Sequence, residues 1–224
     1  MSSLHFPIGQ DVPSKYLVEP AAMPPASAHA KDDEFEDGAL DGKWAWRNQG
    51  TATYSESGGS GEIIAPSTGG MRCLEQVAPT GDFTVVARGA WGTALGNGSS
   101  NPNCGIYVAN NSNGKILRIG YVNAGGQPFN VLTRMTDAST FSTNVYAVQS
   151  QYFPWLKLTV VGTTITPWWS MDGRTWMKLN STTEAISAHL GSVRGDLTRV
   201  GFFADGAGMF EQRVGVHLFR ITEP

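Results

Sequence analysis

Residues 155–179, WLKLTVVGTTITPWWSMDGRTWMKL, constrain the fold more than any other stretch of the chain. Leu156, Leu158 and Val160 alternate with Lys157 and Thr159, the period of two that gives a strand one buried face. Gly162 breaks the run. Thr163 to Ser170 resumes it, with Ile165 and Trp169 on one face and Thr166 and Trp168 on the other. Asp172-Gly173 is a hairpin signal, because both central positions of the favoured turn need positive φ. Thr175 to Leu179 then closes an antiparallel meander rich in tryptophan.

The rest of the chain reads as more sheet. Phe83, Val85 and Ala87 alternate with Thr84, Val86 and Arg88. Ile106 and Val108 flank Tyr107, and Ile116 to Val122 returns as a hairpin partner after the turn at Asn110 to Gly114. Glu62 to Ala65, Cys73 to Val77, Phe129 to Met135 and Thr143 to Val148 are shorter strands. Arg199 to Ala204 and Arg213 to Ile221 are the closing ones, and Thr183 to Leu190 forms a short helix or an irregular crossover. Short strands at this spacing, punctuated by 27 glycines and 12 prolines, predict an all-β, two-sheet antiparallel sandwich of jelly-roll type. Its length of 224 residues is enough for a core that needs no disulfide. Cys73 and Cys104 read as two buried thiols, with a disulfide as the alternative.

Three tracts carry a resemblance to a known family. The first is the order W-L-K-L, Gly, an aromatic pair, Ser, x, Asp-Gly, x, x, Trp. The second is Phe35, Leu40, Asp41 and Trp44, and the third is VGFFA at Val200 to Ala204. Together they resemble the concanavalin A-like jelly rolls, in particular LamG-like modules found in carbohydrate-binding and phage structural proteins. The resemblance runs from about Asp32 to Thr222 and implies the fold; the scaffold carries many roles.

Residues 1–31 are a different polymer. Pro7, Pro13, Pro20, Pro24 and Pro25 exclude a helix or central strand, yet Phe6, Ile8, Tyr16 and Leu17 are too apolar for a purely solvated linker. The segment reads as an extended, Pro-rich N-terminal arm that orders on a neighbouring subunit, or as a disordered tail. Residues 32–224 form the jelly-roll domain. The acidic stretch from Asp32 to Asp41 matches no calcium-loop spacing and is read as solvated, with a calcium site as the lesser alternative; no metal and no cofactor are expected.

Charge and composition exclude several classes. Charged residues make up 16% and the net charge is −3, which leaves no footprint for nucleic acid. No run reaches the ~18 apolar residues of a membrane-crossing helix, and MSSLHFPIGQ lacks the pattern of a secretion signal. A neutral polar surface suits an assembly or a glycan-binding surface. No closely spaced carboxylate run, G-x-S-x-G elbow or phosphate-binding glycine loop is present, and the chain is expected not to be an enzyme. With Ile106, Leu117, Phe83 and Ile165 facing the core, Tyr107, Arg118, Arg88 and Trp168 face outward and form the expected glycan contact.

Three functions follow as expectations. The first is a structural protein of a bacteriophage particle, a homo-oligomer located in the virion. Its arm contacts other virion subunits and its jelly roll contacts a cell-surface glycan. The second is a carbohydrate-binding module of a bacterial glycan-degrading system. The third is a glycoside hydrolase with an unrecognised site.

Overall fold

The computed structural model describes residues 29–91, 103–124, 127–149, 153–178, 183–207 and 211–224. Phe6, Ile8, Tyr16 and Leu17 of the expected arm lie outside the described residues. Two antiparallel sheets stack into the expected sandwich. Sheet I has seven strands in the order β1 (Ala45–Arg47), β4 (Arg72–Val77), β14 (Arg199–Asp205), β6 (Asn103–Ala109), β7 (Ile116–Ala124), β8 (Gln127–Met135) and β9 (Phe141–Gln149). Sheet II has eight: β12 (Met177–Lys178), β11 (Thr164–Ser170), β10 (Trp155–Val161), β5 (Phe83–Ala90), β15 (Gln212–Thr222), β3 (Gly61–Ala65) and β2 (Thr53–Glu56), with β13 (Glu184–Ala185) paired to β11.

The period-two patterns fix which side chains fill the gap between the sheets. Leu156, Leu158 and Val160 of β10 and Phe83, Val85 and Ala87 of β5 bury fully, opposite Leu74, Ile106, Leu117, Ile119 and Phe202 of sheet I. In β15 the register slips between Val216 and Leu218. That bulge switches parity, so Val214 and Val216 enter the core before it and Phe219 and Ile221 after it. At one end Trp44 packs edge to face against Phe202 and Phe219, with Trp44 and Phe219 centroids 5.0 Å apart, and stacks on Phe35. Phe35 takes a left-handed backbone, φ 55°, held by its amide donating to Asp33 Oδ1 at 2.9 Å.

Two turns of the central meander differ from each other. Val161 pairs with Thr164, so Gly162 and Thr163 are a two-residue turn, with Gly162 at φ 54°. The Asp172-Gly173 hairpin is longer than its sequence signal predicts. Trp169 pairs with Met177, so residues 170–176 form the connection and only Met177–Lys178 remain as strand. Gly173 has positive φ but Asp172 does not. Side-chain oxygens shape the turn instead: Ser170 Oγ accepts from the Gly173 amide at 2.9 Å, and Asp172 Oδ1 accepts from the Arg174 and Thr175 amides at 2.8 Å. The segment around 183–190 is mostly crossover, two residues of strand followed by one 3-10 turn at Ile186–Ala188.

Candidate functional site

The residues with the most binding chemistry lie on the outer face of sheet II, and strand pairing puts them there. Lys157 sits directly opposite Trp168, and Trp168 opposite Lys178. Pro167 buries without a bulge, because the β10–β11 register runs unbroken from Trp155↔Ser170 to Val161↔Thr164. Trp169 therefore points into the core, 2% exposed, and Trp168 points out, half-buried. The long 170–176 turn adds Trp176. The Lys157 ammonium lies 4.1 Å from the Trp176 ring centroid and 4.9 Å from that of Trp168, a cation held between two indoles. Burial holds the Lys157 pKa below the usual lysine range. The Lys157 ammonium makes no hydrogen bond or ion pair with the described residues. One step along the face, Trp155 lies under the turn: a Cβ on Gly173 would come within 2.8 Å of Trp155 Cε2. Arg88, exposed, stands 5.8 Å from the Trp155 ring.

The four residues expected to form one contact are divided between the two sheets. Trp168 and Arg88 share the outer face of sheet II. Tyr107 and Arg118 pair with each other on sheet I and are 0% and 5% exposed. Parity placed them correctly on the face away from the core, but that face is itself covered. Met71, Cys73, Tyr107, Ala109, Ile116, Met135 and Phe203 form a second apolar cluster there, against Ala138 of the β8–β9 turn. The Met71 amide donates to the Ala138 carbonyl at 2.8 Å, which ties two loops together over the sheet. Tyr107 donates its hydroxyl proton to Glu75 Oε2 at 2.8 Å. Arg118 lies 5.2 Å over the Phe203 ring and 3.8 Å from Asp205, and burial lowers its pKa to about 10.

Among the described residues the buried carboxylates, Glu75, Glu184 and Asp205, each face an arginine. Glu75 takes Arg47 Nε at 2.7 Å and Arg199 Nε at 3.4 Å as well as Tyr107. Glu184 accepts from Arg134 Nε at 2.6 Å, joining β13 of sheet II to β8 of sheet I. Glu75 pairs with Gly201, and Asp205 lies four residues further along β14, about 13 Å at the usual strand rise.

Carboxylates of the acidic stretch hold it to the sandwich: Asp33 Oδ2 accepts from Trp44 Nε1 at 2.7 Å, Asp32 Oδ1 from the Ile221 amide at 2.8 Å, and Glu34 pairs with Arg220. Cys73 and Cys104 are buried and not joined in a disulfide; they lie on opposite faces of sheet I, Cys104 in the core and Cys73 in the outer cluster.

Lys157 and Trp176 escaped the sequence reading. Lys157 was legible, since alternation puts it opposite Leu156 and Leu158, on the face that Trp168 takes. Trp176 was not, because its position depends on a turn held by side-chain oxygens.

No family model and no curated protein sequence matches the chain. Solved structures share its fold. The GH43 protein BlXynB of Bacillus licheniformis superposes with a TM-score of 0.70 at 14% identity, over 90% of this chain and 41% of that one. Cellulose induced protein Cip1 gives 0.54 at 20% identity, over 86% and 97%. The exoplasmic/lumenal domain of VIP36, solved with Ca2+ and Man3GlcNAc bound, gives 0.53 at 5% identity, over 81% and 84%. The chain spans about two fifths of the length of the first structures it matches. These likenesses bear out the two-sheet antiparallel β-sandwich. The expectation that the chain is not an enzyme is corrected, because proteins sharing this sandwich include glycoside hydrolases.

Proposed function

We propose that this sandwich is a carbohydrate-binding module that takes its glycan on the outer face of sheet II. The observation that carries the reading is the half-buried pair Trp168 and Trp176 around Lys157. An indole face accepts the C–H side of a sugar ring, and a nearby ammonium donates to hydroxyls that the rings cannot satisfy. The names of the structural neighbours support this reading over a phage-particle one, since they are a GH43 protein, a xylan beta-1,4-xylosidase and a Man3GlcNAc-bound domain.

Calorimetry against a panel of soluble polysaccharides tests it. Trp168→Ala and Trp176→Ala each weaken binding about tenfold or more, roughly 1.4 kcal/mol, while the protein still unfolds cooperatively. Binding that survives both substitutions unchanged overturns the assignment to this face. Reducing-end release, measured on the same samples, reports whether any bound glycan is also cut.

A further inference from the structure

We infer that the glycan is anionic, carrying a carboxylate or sulfate group that sits against Lys157; this rests on the proposed binding face. The outer face of sheet II is charged with one sign where the indoles are. Across the sheet the row runs Lys178, Trp168, Lys157, Val86 and Arg220. Arg220 is neutralised by Glu34. Lys178, Lys157 and Arg88 have no ion pair among the described residues. The acidic group beside them, Asp172, turns Oδ1 onto the amides of its own turn. Three uncompensated cations therefore lie within two strand positions of Trp168 and Trp155, on a chain whose net charge is −3.

Lys157 is the telling member. A solvated lysine loses little by staying free, but this one is half-buried between two rings and partly desolvated, with no anion to offset that cost. The indoles hold the ammonium in place, so an arriving anion meets a charge already oriented and partly stripped of water, where a charge-assisted hydrogen bond is stronger than at an open surface. A neutral sugar would stack on the ring faces and offer the ammonium only hydroxyls, leaving its charge unpaired. An acidic sugar stacked on Trp168 or Trp176 would use both.

The test compares three oligosaccharides of equal length, a galacturonide, a sulfated galactan fragment and a neutral xylo-oligosaccharide, against the full chain at low and moderate salt. The expected result is that one or both acidic oligomers bind at least tenfold tighter than the neutral one and weaken as salt rises. Lys157→Gln removes that preference, Lys157→Arg restores most of it, and Trp168→Ala weakens every oligomer. Which acidic oligomer binds more tightly identifies the anion. Equal binding of all three, unchanged in Lys157→Gln, refutes the anionic inference and leaves the glycan reading standing. Absence of binding by all three at millimolar concentration sinks both.

Discussion

Trp168 and Trp169 are neighbours in sequence with opposite fates, and the difference can be measured. Trp169 fills the core at 2% exposure, so Trp169→Ala costs about 3–5 kcal/mol of stability in chemical denaturation. Trp168 lies half-buried on the outer face, and its alanine variant costs less, about 1–3 kcal/mol, while losing ligand. Tyr107 provides the opposite control. Its hydroxyl is one of three groups that satisfy Glu75 inside a covered face. Tyr107→Phe therefore lowers stability by about 1–2 kcal/mol and leaves glycan affinity within about twofold. A large affinity loss in Tyr107→Phe with normal stability would return the binding site to sheet I.

The 170–176 turn is the element on which the site depends, since it carries Trp176 and covers Trp155. Gly173 adopts φ 72° with Trp155 packed where a side chain would start. Gly173→Ala meets both the left-handed backbone penalty and that ring, and loses about 2 kcal/mol; it also displaces Trp176 and weakens binding. Asp172 gives the turn a pH dependence. Hydrogen bonds from the Thr175 and Arg174 amides, then Ser170, bring its carboxyl down to about 2, against ~3.9 when unfolded. A depressed folded value means its contribution is complete above the unfolded value and fades as the pH falls toward 2. The melting-temperature gap between the parent and Asp172→Asn should thus be widest near pH 5 and close by pH 2. A gap that stays constant over this range would show that the carboxylate does not hold the turn.

At the scale of the whole molecule, two thiols report on the sandwich from two sides. Cys104 lies in the core and Cys73 under the outer cover of sheet I, both fully buried, and burial pushes both thiols up from their ordinary range. Neither should react with an aromatic disulfide reagent in the native protein, and both should react together on cooperative unfolding. Earlier reaction of Cys73 would mean that the cover over sheet I opens as a separate unit, before the core.

Alternation along each strand settled the architecture from the sequence alone, because burial on one face of a pleated strand leaves a period of two whatever its partner. It also placed Trp169 inward and Trp168 outward, and put Phe83, Ile106, Leu117 and Ile165 in the core. Alternation assigns a side of a sheet, however, and carries no information on what lies over that side. Only the tertiary structure showed that loops cover Tyr107 and Arg118, that Arg88 and Trp168 belong to the other sheet, and that a seven-residue turn brings Trp176 beside Lys157. Those outcomes rest on contacts between segments far apart in the chain, and on side-chain oxygens capping a turn, which no local pattern encodes.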